Sequence, residues 1–119
     1  MTVDPEALRR EFNYRELTAQ KKLELLKELE ERLRGVADVS FAYVHGSFVE
    51  RSSIRDLDVA VWLTDTSRAF YYTVDFSVRL EVEMRFPVDV QVLNTAPLPF
   101  KFHVFTRGQL IFSSCLLYT

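Results

Sequence analysis

Cysteine is almost absent from this chain. The single Cys115 has no second thiol to pair with, so no internal disulfide can hold the fold, and a reducing cytoplasm is the expected setting. Long apolar runs are missing as well. None approaches the ~20 residues that cross a bilayer, so no membrane association is expected. The opening residues carry charge from Asp4 to Glu11, which argues against a signal peptide. An excess of one charge is also lacking. Fifteen basic residues face 17 acidic ones, for a net charge of −2, which excludes a general nucleic-acid binder on electrostatic grounds. Only two histidines are present, His45 and His103. They lie far apart in the chain, so neither has an evident metal-binding companion, and both are read as structural, with His103 at the edge of the core. Ser47 has no Ser-His-Asp arrangement around it. Repeats and low-complexity segments are absent.

What remains is an ordinary globular composition, 48% hydrophobic and 27% charged over 119 residues. That length suits one domain with a modest core. The informative stretch runs from Tyr43 to Trp62. Val39 to Val44 reads as a strand, dense in β-branched and aromatic residues, and Gly46-Ser47 closes it. A short helical turn from Ser47 to about Arg51 follows. Asp56 to Leu63 reads as a second strand. Alternation puts Asp56, Asp58, Ala60 and Trp62 on one face and Leu57, Val59, Val61 and Leu63 on the other. Two aspartates spaced this way sit roughly 6.7 Å apart at Cα. They repel each other and resist desolvation, and a divalent cation relieves both costs. Mg²⁺ is the natural candidate because it favours carboxylate oxygen together with substrate phosphate. Glycine at position 46 lets backbone approach a ligand, and a turn leading into a helix start presents N–H groups to phosphate. A phosphate site on one strand end and a carboxylate pair on the next describe metal-assisted phosphoryl or nucleotidyl transfer.

The flanking chain supplies a frame. Asp4-Pro5 opens a short helix over 5–12, with Leu8 and Phe12 on one face, so residues 1–17 form a helical extension to a single domain of residues 1–119. Asn13 and Tyr14 interrupt it. Thr18 caps a longer helix that ends at Gly35, with Leu23, Leu26, Leu29 and Leu33 as its apolar stripe and Leu25 widening it. Glu28–Arg32 and Glu30–Arg34 form i,i+4 pairs. Asp65-Thr66-Ser67 starts another helix over 68–85, with Tyr71, Val74, Val78 and Val82 on its apolar face. The segment 78–86 also alternates like a strand. Helix is preferred because a helical crossover lets the next strand join the same sheet. Val88 to Leu93 is a third strand with Asp89 and Gln91 on its second face. An aspartate there needs a partner, and catalytic group and strand-edge residue stand equally well for it. A helix over 97–107 ends at Gly108, and Gln109 to Ser113 forms a last strand. Cys115 to Thr119 packs on a neighbour or frays. Arg51 and Arg55 flank the carboxylate strand. They suit a triphosphate or an acidic partner, and equally well a surface role balancing Asp56 and Asp58. Trp62 could stack on a base, though packing is the simpler role.

His45-Gly46-Ser47, eight residues (48 to 55), then Asp56-Leu57-Asp58-Val59 resembles the signature of the polymerase-beta-type nucleotidyltransferase superfamily. The small size resembles its minimal nucleotidyltransferase (MNT) branch. The resemblance implies an α/β fold: a small mixed β-sheet flanked by helices. It implies two Mg²⁺ ions on Asp56, Asp58 and Asp89, with Asp89 as the third carboxylate. It further implies a nucleoside triphosphate, ATP by preference, held by Gly46 and Ser47 with help from Arg51 or Arg55. In the MNT branch it implies the antitoxin of a toxin–antitoxin pair that transfers AMP to, or masks, a HEPN-type toxin. No room is left for a separate acceptor domain, which favours a partner or a homo-oligomer. The alternatives are a binding module that neutralises its partner by contact, and a metal-dependent phosphohydrolase. Product analysis separates the last from a transferase.

Overall fold

A computed structural model describes residues 15–51 and 53–114. The expected helix at 5–12, the interruption at Asn13-Tyr14 and the tail Cys115–Thr119 lie outside the described residues. In chain order the elements are β1 (Arg15–Glu16), α1 (Ala19–Arg34), β2 (Val39–His45), α2 (Ser47–Glu50), β3 (Ser53–Ile54) and β4 (Leu57–Leu63). A helical segment follows, made of a 3-10 turn (Thr66–Arg68), α3 (Ala69–Tyr71), a π-turn (Tyr72–Phe76) and α4 (Ser77–Met84). The chain then continues through β5 (Val88–Val92), α5 (Leu98–Arg107) and β6 (Gln109–Ser113).

Four strands form one mixed sheet in the order β5-β4-β2-β6. β4 runs antiparallel to β2, and β2 antiparallel to β6. β4 and β5 are parallel, as a helical crossover requires. β1 and β3 make a separate two-stranded ribbon, pairing Arg15 with Ile54 and Glu16 with Ser53. Residues 15–16 of the expected helical extension are therefore strand. Such a pairing joins two dipeptides far apart in sequence, and neither carries a period of its own.

Alternation on β4 holds as expected. Leu57, Val59, Val61 and Leu63 are buried in the main core. Against them pack Leu25, Leu29 and Leu33 of α1, and Tyr72, Phe76, Leu80 and Met84 of the second helical segment. Each such side chain removed from water contributes about 1.5–3 kcal/mol. The helix ends are satisfied locally. Thr18 Oγ1 accepts from Lys21 N at 3.1 Å, and Asp65 Oδ1 accepts from Ser67 N at 3.0 Å. Glu28–Arg32 and Glu30–Arg34 are both formed on α1.

Three expectations need correction. Leu23 is exposed; the stripe on α1 runs through Leu25, Leu29 and Leu33, and i,i+4 spacing carries it away from Leu23. The helix over 68–85 exists, but Val74, Val78 and Val82 are exposed. The segment has two apolar stripes, and the one with larger side chains, Tyr72, Phe76, Leu80 and Met84, removes more area from water and takes the sheet. His103 is exposed on α5, because only Val104 of that helix is fully covered.

β5 ends the sheet on one side, and α4 takes three of its outer hydrogen bonds. The Ser77 hydroxyl donates to Val88 O and accepts from Val90 N, each at 3.1 Å. One turn on, Glu81 Oε1 accepts from Val88 N at 3.1 Å. Ser77→Ala strands two buried backbone groups, so a loss of about 1–3 kcal/mol is expected. Chemical denaturation checks this, and an unchanged midpoint would mean that water replaces the hydroxyl.

Candidate active site

β2 and β5 flank β4, so the register places the candidate residues side by side. Asp58 pairs with His45 across the antiparallel edge and with Asp89 across the parallel edge. Asp56 lies one residue before the strand. Gly46 follows β2 at once and caps α2, so the Gly-Ser turn and the carboxylate pair occupy the same end of the sheet.

The turn and the carboxylate fit closely. Gly46 has a φ of +76°, which disfavours any side chain. A Cβ there would stand 2.5 Å from Asp58 Oδ2. Gly46, Ser47, Glu50, Arg51, Arg55, Asp56 and Asp58 line one open cavity of about 300 Å³. Six of the seven expected site residues are thus brought together there.

The seventh, Asp89, stands one strand away and does not line the cavity. Its Oδ2 accepts from Gln91 Nε2 at 2.6 Å. Three acidic side chains of the preceding helical segment are engaged elsewhere or exposed. Glu81 serves the β5 edge, Glu83 pairs with Arg32 and Arg79, and Asp75 is exposed on the π-turn.

Charge is crowded at the carboxylates. The Asp58 carboxyl is pushed up to about 7, chiefly by burial and then by the charges of Asp56 and Asp89; Arg55 opposes the rise. Arg55 Nε reaches Asp56 Oδ2 at 3.8 Å, a half-exposed contact of small energetic weight. Local positive charge does not match the negative charge, which is the environment a divalent cation would relieve. Among the described residues no three His, Cys, Asp or Glu side chains converge as a ready ligand set. The donors nonetheless fit Mg²⁺, which takes one or two protein carboxylates and draws its other oxygens from phosphate and water.

Two further side chains support the site, and sequence reasoning did not single them out. Lys22 of α1 donates to Phe48 O at 3.1 Å and Arg51 O at 2.9 Å, with its ammonium over the Phe48 ring. It anchors the carbonyl end of α2 from 26 residues away, a distance at which no local signal exists. Lys22→Met is expected to speed amide exchange across residues 47–51 by about five-fold, as loss of roughly 1 kcal/mol of local closure implies. Unchanged exchange there would remove Lys22 from this role. Gln91 is the second, and its i+2 spacing from Asp89 was the available signal.

His45 is buried, its pKa lowered chiefly by burial, and its Nε2 meets Gln91 Oε1 at 2.8 Å. Trp62 stacks on Phe41 at 5.8 Å beside Ala60, Leu93 and Val104, a packing role.

A mixed four-stranded sheet with a Gly-Ser turn on one strand and Asp-x-Asp on its neighbour defines a nucleotidyltransferase-type fold. Residues 24–115 match the model of the polymerase beta nucleotidyltransferase family, and the chain belongs to that family. Among solved structures it is similar to a chain from the tri-AMPylated Shewanella oneidensis HEPN toxin in complex with MNT antitoxin. There the TM-score is 0.60 at 18% identity, over 80% of this chain and 75% of that one. A chain of the MntA–HepT toxin–antitoxin structure gives 0.59 at 17% identity, covering 79% and 74%. A toxin–antitoxin structure with AMP-PNP gives 0.55 at 20%, covering 82% and 75%. At these identities the likeness concerns the fold. No curated protein matches the chain. Among the described residues no helix is long and apolar enough to cross a membrane.

Proposed function

We propose that this chain is a Mg²⁺-dependent nucleotidyltransferase that moves AMP from ATP to a protein acceptor, as the antitoxin partner of a HEPN-type toxin. The observation that carries the reading is the Asp56–Asp58 pair set against the Gly46 turn with its charge unrelieved. Asp56 and Asp58 would hold the metal, with Asp89 completing the set, and Mg²⁺ supplies charge neutralisation at the phosphates. Backbone N–H groups at Gly46 and Ser47 hold the triphosphate, and Arg51 and Arg55 add positive charge at the same cavity. An acceptor hydroxyl attacks the α-phosphorus. The new P–O bond forms as the bond to the bridging oxygen breaks, pyrophosphate leaves, and Asp89 takes the hydroxyl proton. The toxin–antitoxin neighbours, one with an AMPylated toxin, support this acceptor class.

The contact reading, in which the chain neutralises its partner without chemistry, draws on the exposed Phe70, Val74, Val78 and Val82. Two measurements separate the readings: calorimetry of ATP with Mg²⁺ on wild type and Asp56→Ala/Asp58→Ala, and the intact mass of a HEPN-type toxin after incubation with ATP. Binding that needs metal and carboxylates, with adenylyl groups added to the toxin, supports transfer. No binding at millimolar nucleotide, with an unmodified but inhibited toxin, favours contact.

A further inference from the structure

Asp89 is not free to choose its orientation. An ionised carboxylate only accepts hydrogen bonds, so Gln91 must present its NH₂ group to Asp89 Oδ2, at 2.6 Å. The opposite end of that amide is then its carbonyl, which also only accepts. His45 Nε2, 2.8 Å away, must therefore carry the ring proton. The charge on Asp89 thus sets the amide orientation and the histidine tautomer together. The ring end of this chain is fixed, since His45 is buried and stands edge-on to Phe100 at 5.4 Å.

The chain of bonds spans three strands. Gln91 and Tyr43 are the register partners of Ala60 on its two sides. Gln91 thus reaches from β5 toward β2 across two strand spacings, about 9.6 Å. Ala60, fully buried, and Asp58, the register partner of His45, are the β4 residues it crosses. His45 immediately precedes Gly46, so the same bonds tie the third carboxylate to the Gly-Ser turn.

We propose that Gln91 and His45 are positioning residues for Asp89, committing Oδ2 to the protein and leaving Oδ1 for a ligand. The inference rests on the transfer reading above. The probe is Mn²⁺ with a non-hydrolysable ATP analogue, titrated by electron paramagnetic resonance. Gln91→Leu and His45→Phe should each weaken Mn²⁺ binding about five-fold, the scale of one freed side-chain rotamer. His45→Gln keeps a donor near the Nε2 place and should restore affinity to within about two-fold. Nitrogen-15 spectra should show His45 protonated on Nε2 in wild type, and a changed imidazole pattern in Gln91→Leu. Unchanged Mn²⁺ affinity in both variants, or an Nδ1-protonated His45 in wild type, overturns the positioning role. Mn²⁺ affinity indifferent to Asp56→Ala/Asp58→Ala overturns the transfer reading instead, and the tautomer then decides separately whether the chain of bonds exists.

Discussion

Asp58→Asn is expected to make the metal-free protein more stable at pH 8 while abolishing metal-dependent nucleotide binding. The sign follows from the raised carboxyl. In the unfolded chain this aspartate loses its proton near pH 4, whereas in the folded protein it keeps it to about 7. Between those values the folded state binds more protons, so this group's contribution to stability falls as pH rises, and the cost is complete above about 7. The full shift would correspond to about 4 kcal/mol, and solvent screening at a part-exposed site leaves roughly 1–2 kcal/mol. Asparagine keeps the shape and removes the charge. The difference in melting temperature between Asp58→Asn and wild type should therefore be small near pH 4, widen toward pH 7 and then level off. Added Mg²⁺ and ATP should raise the wild-type melting temperature and leave the variant unmoved. A variant less stable than wild type at pH 8 would show that Asp58 is already satisfied within the protein, and the case for a cation between the carboxylates would fall.

Gly46→Ala is expected to damage the same site from the other strand. At φ +76° and ψ −149°, a region essentially reserved for glycine, an alanine costs about 1–3 kcal/mol. The larger effect is steric, because the added methyl would fall 2.5 Å from Asp58 Oδ2. Either the carboxylate rotates away or the turn opens, and both separate the phosphate site from the metal site. The expected result is a loss of nucleotide affinity of more than about ten-fold, over 1.4 kcal/mol, in a protein whose circular dichroism is unchanged. Affinity near wild type would mean that turn and carboxylate act independently.

The residues that line the candidate cavity were readable because each announces itself locally. Asp56 and Asp58 stand out against an alternation that is otherwise apolar, and Gly46-Ser47 ends a β-branched run. The helix over 68–85 was legible as a helix, yet its buried face was not. Valines at 74, 78 and 82 and the bulkier set at 72, 76, 80 and 84 share the same i+4 period, so periodicity alone does not rank them. Area does, and area is a property of the packed sheet. Lys22 and the β1–β3 ribbon were invisible for a different reason. Both join segments more than 25 residues apart, and nothing in either segment names the other. His45 was read as structural, and its bond to Gln91 could be found only with the strand order β5-β4-β2.

The seal that α4 places on β5 bears on how the chain avoids misassembly. A sheet edge recruits strands from other molecules through its unused N–H and C=O groups. On β5 the N–H and C=O of Val88 and the N–H of Val90 are taken by Glu81 and Ser77. A foreign strand could reach them only after α4 had left, which requires pulling Phe76, Leu80 and Met84 out of the core. Aggregation through this part of the edge is therefore gated by unfolding of a helix anchored in the core, and a ligand that stabilises the native fold slows it without touching that edge.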